Sequence, residues 1–566
     1  MDNIPLRPNV VVPPRLFASK MCKNGKDWWV LDKALLGGNV LTMNEGAPRV
    51  EAVGFEKGKI VAAGATAEVS KMVGSDTQVV HLAGRTVIPG FVDPHNHFSF
   101  TTFQPVSVDC SVPPHVSING VLDAIGAAAK SAPPGQWIWG WGFNARAMEG
   151  HRRITRKQLD EVAPDNPVTI EDSSVHAAYA NTPALRLAGI DRNTPDPDHG
   201  QILRDDNGEP DGTLWEEALN SVYNLSLRAH LEQYGDYAVD LVRQNCQRYM
   251  AAGITSVGDA LVLPEAAEMY RQADTLGKLP FRMHQMLGGD GFFSAPSRVA
   301  SGDTGDGNVS DRLRGGTMKI FMDPVFPSPA LIQERPHGDH EHIGARYYTQ
   351  EEADIIVLAA HRRGLQVAIH CLGTWSIEQA LNAFEAALKA HPASEPRFRI
   401  EHYSLPTLEQ IRRTASMGVV SVMQPAFVYT GAVRGQERAE ELGGGALVFP
   451  FKTMLAEGVT VAASSDFPCA PLEPLTGIYA VVTRKTRLGE GPIVPDEAVT
   501  PLEALKMYTL NAAYAMNREH EVGSIETGKR ADLAVLSHDP TSVDPDFIRE
   551  ISVEQTYVDG ELLHNR

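Results

Sequence analysis

Short apolar runs alternate with helical patterns through the middle of this sequence, and this alternation constrains the fold most. The run L-Q-V-A-I-H, for example, is followed by the amphipathic stretch I-E-Q-A-L-N-A-F-E-A-A-L-K and then by the run F-R-I-E-H. Capping-box sequences mark three helix starts, at Thr349, Thr407 and Thr500. Repeated strand–helix units with short connections predict a parallel sheet, either closed or open.

Histidine or aspartate stands at the end of several of these runs. The stretch V-I-P-G-F-V-D-P-H-N-H begins as a β-branched run that is typical of a strand buried on both faces. It ends with His95 and His97, whose side chains point the same way on a strand and can face one metal ion. Later runs end in His370, His402 and Asp466. Because the carboxyl ends of barrel strands meet at one face, we expect these side chains to converge there.

Lys319 lies inside the apolar run T-M-K-I-F-M. A lysine facing a core is unfavourable unless it is paired or chemically changed. In one interpretation its ammonium pairs with Asp323 or points out of the barrel. In the other, burial lowers its pKa, and the neutral amine reacts with carbon dioxide to give a carbamate that can bridge two metals. The sequence leaves both interpretations open.

The overall composition excludes several classes of partner. The 566 residues include 51 Lys and Arg against 70 Asp and Glu, a formal net charge of −19, which argues against nucleic acid or an anionic membrane. The five cysteines are scattered without a C-x-x-C pair, so neither a disulfide framework nor a thiolate zinc site is expected. We find no signal-peptide core and no run of roughly 20 apolar residues, and we expect a cytoplasmic protein.

Short strand patterns at both ends of the chain predict a second structural unit. The Lys57-Gly58 and Asp559-Gly560 steps each separate two strand-like runs, as hairpin turns do. We expect the two ends to build one β-sandwich, with the rest of the chain inserted between them. The predicted domains are an N-terminal arm (1–27), a composite β-sandwich (28–89 and 520–566), an α/β unit with the candidate metal ligands (90–111 and 232–519) and a domain inserted near the mouth of that unit (112–231).

Together these motifs resemble the amidohydrolase superfamily, and within it amidohydrolase family 3, the branch of the N-substituted formamide deformylases. The resemblance extends from about Leu35 to the C-terminus. It is carried by P-G-F-V-D-P-H-N-H, S-S-V-H-A-A-Y-A-N-T-P-A-L, M-K-I-F-M-D, V-A-I-H, R-I-E-H, A-S-S-D-F-P and G-K-R-A-D-L-A-V-L. It implies an α/β fold, a distorted (β/α)8 TIM barrel with a composite β-sandwich, and one or two divalent metal ions, usually zinc.

The resemblance also implies roles for individual residues. One metal ion would be held by His95, His97 and Asp466, a second by His370 and His402, and carbamylated Lys319 would bridge the two. His176 matches a position that touches the substrate carbonyl. The alternative for His176 is a histidine hydrogen-bonded within the inserted domain.

Two positions depart from the family pattern. The family reads H-A-I-G-D-R where this chain has H-C-L-G-T-W, from His370 to Trp375. The family has glycine where Pro324 follows Asp323. The first change removes a charged pair and adds a tryptophan. Both departures bear on which class of substrate is bound and on whether activity is kept.

The implied reaction is hydrolysis of a C–N bond in an amide, N-formyl or cyclic amide substrate by metal-activated hydroxide. Asp466 would carry the proton to the leaving amine. We expect a small substrate with an apolar or ring-bearing side, because aromatic residues are frequent in and near the inserted segment. Trp141, Phe143 and Trp375 are the predicted substrate-binding residues, and we expect a homodimer.

Two other functions stay open from the sequence alone. Hydrolytic deaminases of the same superfamily commonly carry H-x-x-E on a later strand, and neither His370 nor His402 is followed by that glutamate. A non-catalytic binding protein on a barrel scaffold would explain the lost charged pair. The filled set of metal-ligand positions counts against it.

Overall fold

The described part of the chain begins with short strands of a β-sandwich. The computed structural model describes residues 30–289, 309–324, 347–431, 446–489 and 491–566, so the predicted N-terminal arm lies outside it. The first strands are β1 (Lys33–Leu36), β2 (Asn39–Leu41), β3 (Arg49–Val50), β4 (Ala52–Glu56), β5 (Lys59–Gly64), β6 (Gln78–His81) and β7 (Thr86–Pro89), with a helix at Thr66–Ser70. Lys57 and Gly58 both have positive φ, and β4 pairs with β5 across them as the predicted hairpin.

The stretch from Val87 to His97, which Pro89 and Gly90 are predicted to interrupt, is two strands in the structure. β7 belongs to the sandwich, whereas β8 (Phe91–Asn96) begins the barrel. Gly90 lies between them, and a Cβ atom there would come within 2.3 Å of the Thr255 side chain. Glycine therefore permits the close approach at which the chain passes from one sheet to the other.

The inserted segment folds around its own six-stranded sheet. Its strands are β9 (Val108–Asp109), β10 (Ile138–Phe143), β11 (Val168–Asp172), β12 (Ala177–Ala180), β13 (Gly200–Arg204) and β14 (Pro210–Glu216), in the order β13-β14-β12-β11-β10-β9. Its helices are Ile118–Ser131, Arg156–Val162, Thr182–Leu187 and Asn220–Tyr234. Short 3-10 helices occur at Gln104–Val106, Glu149–His151 and Glu217–Leu219.

Eight parallel strands form the barrel. β8 is joined by β15 (Ile254–Val262), β16 (Arg282–Leu287), β17 (Leu313–Phe321), β18 (Gln366–Cys371), β19 (Arg399–His402), β20 (Val420–Met423) and β21 (Val461–Ala463). Beyond the ends of β21 and β8, the Asp466 N–H donates to the His95 carbonyl and the His97 N–H to the Phe467 carbonyl, both at 2.9 Å. These bonds join the last segment to the first, and the predicted (β/α)8 barrel is confirmed.

Helices follow the barrel strands. They span Phe98–Thr102, Tyr237–Ala251, Pro264–Thr275, Gln350–Arg362, Thr374–Ala390, Leu408–Met417, Phe451–Ala456, Pro474–Thr483, Pro501–Met507 and Leu510–Ala515, with 3-10 turns at Pro495–Glu497 and Pro545–Glu550. The capping boxes predicted at Thr349, Thr407 and Thr500 are all formed. In the described part of the chain, no helix combines the length and the apolar character that crossing a membrane requires.

The two ends of the chain share one sheet. The last strands are β22 (Leu533–Leu536), β23 (Val553–Val558) and β24 (Glu561–Asn565), and β22 pairs antiparallel with β7. The second sandwich sheet therefore runs β24-β23-β22-β7-β2-β3, facing the sheet β5-β4-β1-β6 across a core that includes Leu35, Val53 and Leu533. Strand pairing thus ties both termini into one unit, while the exact domain boundaries stay predictions.

Candidate metal centre

Three predicted ligands meet at the carboxyl end of the barrel. The ligand atoms of His95, His97 and Asp466 all lie within 4.8 Å of one another, and the three residues are buried. The Asp466 Oδ1 atom lies 3.0 Å from Nε2 of His97 and 3.4 Å from Nε2 of His95. Asp466 lies three residues beyond β21 with a φ of +55°. It therefore follows the strand end rather than closing it.

The other two predicted histidines lie beside this group. The ring centroids of His370 and His402 are 4.4 Å apart, and that of His402 is 4.9 Å from that of His95. His402 ends β19 with a φ of +70°, in the left-handed region. The structure therefore brings all five predicted ligand side chains, including Asp466, into one cluster.

The unsatisfied atoms of this cluster fit a metal site. Nε2 of His95 and both ring nitrogens of His370 are buried and have no hydrogen-bond partner among the described residues. Buried polar atoms are normally paired, so these nitrogens indicate a ligand. Imidazole nitrogens with a carboxylate oxygen are a donor set that divalent ions such as zinc bind.

The protonation states suit metal binding. Burial lowers the pKa of His95 and of His370 well below its ordinary value, and lowers that of His402 to about 4. Burial acts against ionisation of Asp466, but the hydrogen bond from His97 and the charges of the neighbouring histidines outweigh it and hold the pKa well below its usual range. Neutral imidazoles and an ionised carboxylate are the forms that bind metal.

A second layer of side chains orients two of the histidines. Nδ1 of His95 donates to Oε2 of Glu401 at 2.5 Å, and Arg399 donates to both oxygens of Glu401 at 2.7 and 2.9 Å. Nδ1 of His402 donates to Oε1 of Gln424 at 2.8 Å. Each contact fixes the tautomer and directs the Nε2 edge of the ring away from its partner.

Sequence reasoning missed this second layer, although a signal existed for part of it. Arg399 and Glu401 stand two apart in R-I-E-H, so they share one face of a strand that ends in a ligand. Gln424 directly follows β20 and gave no comparable signal. Asp93 was missed too: it accepts hydrogen bonds from the Ser465 backbone and hydroxyl at 2.9 and 2.5 Å, which positions the segment that carries Asp466.

Lys319 is buried within β17 and lines the same cavity as the histidines. Its Nζ atom lies 4.7 Å from the Phe321 ring centroid, and burial lowers its pKa to about 8. Asp323 accepts hydrogen bonds from the backbone of Leu372 and Gly373 and from the Ser376 hydroxyl instead. Lys319 therefore forms no ion pair with Asp323 in the structure. The carbamate stays a prediction.

His176 reaches the cavity from the inserted segment. It precedes β12, and its ring centroid is 5.7 Å from that of His370 and 5.9 Å from that of Phe321. Nδ1 of His176 donates to Oε2 of Glu216 at 2.7 Å, and the Tyr347 hydroxyl donates to the same oxygen at 2.8 Å. His176 is therefore hydrogen-bonded to Glu216 and also lines the cavity, while its contact with a substrate carbonyl stays a prediction.

The cavity above the metal ligands has a volume of about 430 Å³, which suits a small molecule. The inserted segment contributes Asn144, Arg146, Ser173 and Ser174 to its wall. The apolar wall consists of Phe321, Leu372, Leu405, Phe427 and Phe449. The Phe427 ring stacks nearly parallel to that of His402, with centroids 6.1 Å apart.

Trp141, Phe143 and Trp375 are not among the described residues that line this cavity. Phe143 is fully buried in the core of the inserted sheet, where its ring meets that of Tyr179 edge to face at 4.9 Å. Trp141 lies on β10, and Trp375 is the second residue of the helix Thr374–Ala390. The prediction missed that the inserted sheet buries aromatic side chains on both of its faces.

Known proteins resemble the chain over most of its length. The model of the amidohydrolase family matches residues 78–564. The N-substituted formamide deformylase of Arthrobacter pascens is 41% identical over 539 residues, covering 94% of this chain and 98% of that protein. The putative amidohydrolase YtcJ of Bacillus subtilis (strain 168) is 31% identical over 545 residues, with coverage of 94% and 99%.

A similar fold occurs among solved structures. An uncharacterized metal-dependent hydrolase from Pyrococcus horikoshii OT3 superposes with a TM-score of 0.71 at 24% identity, covering 91% of this chain and 99% of that one. At this identity the likeness shows the fold alone, a barrel with an added β-domain.

Proposed function

The chain belongs to the amidohydrolase family, and from this premise we propose that it is a metal-dependent hydrolase that cleaves the C–N bond of a small amide, N-formyl compound or cyclic amide. One observation carries the proposal. The five predicted ligands meet in a cavity, and Nε2 of His95 and both ring nitrogens of His370 are buried without a hydrogen-bond partner in the described part of the chain.

The donor set divides between two ions in this proposal. His95, His97 and Asp466 would hold one divalent ion, and His370 with His402 would hold a second, with zinc as the expected metal because it favours imidazole and carboxylate ligands. Such an ion lowers the pKa of a coordinated water and polarises a carbonyl oxygen. Glu401 and Gln424 hold the Nδ1 edges of His95 and His402, so that the Nε2 edges would be free to face the ions.

Lys319 would complete the centre as a carbamate. Its pKa of about 8 leaves about a tenth of the amine neutral at pH 7, and the neutral amine is the form that reacts with carbon dioxide. The carbamate would carry a negative charge beside the four histidines. It would replace the buried Lys319 ammonium by a group that can bind metal. The burial of Lys319 and the absence of an ion pair with Asp323 support this step.

Two side chains would handle the substrate. Asp466 is an ionised carboxylate at the centre of the ligands, so it can take a proton from the attacking water and hand it to the leaving nitrogen. His176 lines the cavity from the inserted segment and would hydrogen-bond the substrate carbonyl. Protonation of the leaving nitrogen is needed because a deprotonated amine is a poor leaving group.

The cavity wall favours a substrate with an apolar side. Phe321, Leu372, Leu405, Phe427 and Phe449 offer an apolar surface to the part of the substrate that lies away from the metals. The name of the Arthrobacter pascens relative supports an N-formyl group on the other side. The predicted homodimer and cytoplasmic location stay predictions.

A substrate screen tests the proposal. The purified protein, loaded with zinc, is assayed against a library of N-substituted formamides, other amides and cyclic amides, each with and without a strong chelator. We expect turnover of at least one class that is lost on chelation and returns with zinc. A zinc-loaded protein that hydrolyses none of them, or activity that is unaffected by removal of all bound metal, would contradict the proposal.

A further inference from the structure

Two hydrogen bonds lock His176 to Glu216. Nδ1 of His176 donates to the Glu216 carboxylate at 2.7 Å, and the Glu216 backbone N–H donates to the His176 carbonyl at 3.0 Å. The two residues stand at the adjacent ends of the paired strands β12 and β14, and both are more than 90% buried. The imidazole is therefore held from its Nδ1 edge, and its position relative to β14 is set by the backbone as well.

Tyr347 adds a second donor to the same carboxylate oxygen, at 2.8 Å. Burial, and then the neighbouring Glu216 carboxylate, raises the pKa of Tyr347 well above its ordinary value, so its hydroxyl keeps the proton that it donates. Both contacts fall on the same acceptor oxygen, so the proton between His176 and Glu216 lies on Nδ1. This arrangement keeps a proton on Nδ1 and leaves Nε2 on the opposite edge of the ring.

The backbone at Glu216 supports a functional role. Its φ of +53° with a ψ of −128° is a backbone conformation that residues other than glycine rarely adopt. Such strain persists where the surrounding structure enforces it, and it is frequent at functional sites. Here it coincides with the turn from β14 into the 3-10 helix Glu217–Leu219, the point at which the carboxylate reaches His176.

We propose that Glu216 is a positioning residue of this enzyme, which acts on the reaction through His176. It keeps a proton on Nδ1 and aims the Nε2 edge at the substrate beside His370, where a second ring proton, on Nε2, would be donated to the substrate carbonyl, while Tyr347 keeps the carboxylate in place. This inference rests on the proposed hydrolase function for its kinetic consequences. Because an N–H on the Nε2 edge interacts most strongly as negative charge develops on the carbonyl oxygen, the effect belongs to kcat rather than KM.

A double-mutant cycle separates this role from a structural one. Glu216→Leu removes the acceptor and should lower kcat by about 10- to 100-fold, the usual cost of losing a carboxylate behind a functional histidine, with KM within about threefold. Glu216→Gln keeps an acceptor and should lose less. In a His176→Ala background, Glu216→Leu should cause no further loss. The matched control is Glu217→Gln, which changes a neighbouring charge that binds the His199 backbone, and it should leave kcat within about twofold.

Additive losses from Glu216→Leu and His176→Ala, with unchanged metal content, would overturn the inference. So would a wild-type kcat in Glu216→Leu. If the leucine variant does not fold, Glu216→Gln and Tyr347→Phe are each combined with His176→Ala in the same double-mutant cycle. Both nearly keep the size of the side chain that they replace.

A second measurement does not depend on activity. Long-range ¹⁵N–¹H NMR spectra of the zinc-loaded protein report which nitrogen of each histidine is protonated, and the signal that His176→Gln removes belongs to His176. We expect protonated Nδ1 in the wild type and a changed signal in Glu216→Gln. A wild-type His176 with bare Nδ1 and protonated Nε2 would overturn the inference. A chain that turns over no amide would refute the hydrolase function, and the spectrum would still decide the role of Glu216.

Discussion

Nδ1 of His95, on the first barrel strand, lies 2.5 Å from Oε2 of Glu401, on the sixth. Both side chains are fully buried, and Arg399 pairs with the same carboxylate at 2.7 Å. The contact forces the Nε2 edge of His95 toward Asp466. The candidate metal centre therefore depends on a buried charge pair that lies behind one of the predicted ligands.

Replacement of Glu401 should weaken metal binding. Glu401→Gln removes the charge that fixes the tautomer of His95, so we expect zinc affinity to fall by about 10- to 100-fold in competition with a chromophoric chelator. It also leaves Arg399 buried without its carboxylate, which should lower the free energy of unfolding by about 3–5 kcal/mol. The control is Glu409→Gln, an exposed change in the first turn of the helix Leu408–Met417. Unchanged zinc affinity would refute the role of Glu401.

Formation of the Lys319 carbamate should depend on pH. Burial sets the pKa of this lysine at about 8, so the reactive neutral amine grows from about a tenth at pH 7 to half at pH 8. Metal-free protein given zinc at a constant concentration of dissolved carbon dioxide should therefore regain activity faster as the pH rises from 7 to 8 and level off above 9. A rate of reactivation that does not change over this range would contradict the carbamate.

Loss of the Lys319 side chain should be partly repairable. Lys319→Ala should lose metal and activity, and short carboxylic acids such as formate or acetate should restore part of both by taking the place of the carbamate. Lys319→Met has nearly the same length without an amine and should resist rescue because the space is filled. High-resolution density showing a bare amine beside two fully occupied metals would exclude the bridge.

Asp466→Asn should separate the proton-transfer role from metal binding. The four histidines remain, so we expect the fold and part of the metal to be kept while kcat falls by about 10²- to 10⁴-fold, the usual range for general acid–base catalysis. The measurement is kcat per bound metal ion, with exposed Asp496→Asn as the charge-matched control. A wild-type kcat per metal ion would remove Asp466 from the mechanism.

The apolar wall of the cavity should control substrate affinity. Phe427→Ala removes a ring that lines the cavity beside His402, and we expect KM for ring-bearing substrates to rise about tenfold with a smaller effect on small aliphatic ones. Phe143→Leu alters the core of the inserted sheet and should lower thermal stability without changing KM. The opposite pattern would restore the sequence-based assignment of Phe143 to the substrate.

Local sequence signals predicted most of the fold. Capping boxes at Thr349, Thr407 and Thr500 and the positive-φ turns at Lys57 and Asp559 depend on neighbouring residues alone, and all are present. The interruption at Pro89 and Gly90 was also predicted from local signals, but the reason that glycine is necessary was not, because it is the approach of Thr255 from a distant strand.

The candidate site likewise contains residues that the sequence could predict and residues that it could not. His95, His370 and His402 could be grouped from the sequence because parallel strands bring their carboxyl ends together whatever lies between them. Glu216 could not, because its contact with His176 spans 40 residues and depends on an unusual backbone conformation. The predicted substrate-binding aromatic residues do not line the described cavity, because composition does not tell which face of a sheet meets a cavity.

The most direct test of the central claim is the identity of the products. Zinc-loaded enzyme is incubated in water enriched in ¹⁸O with the best substrate from a panel of amides and amino-substituted heterocycles, and the products are quantified by mass spectrometry. We predict equal amounts of an amine and a carboxylate that carries one ¹⁸O atom from solvent. Release of ammonia from an amino-substituted heterocycle, with every amide bond intact, would contradict the account.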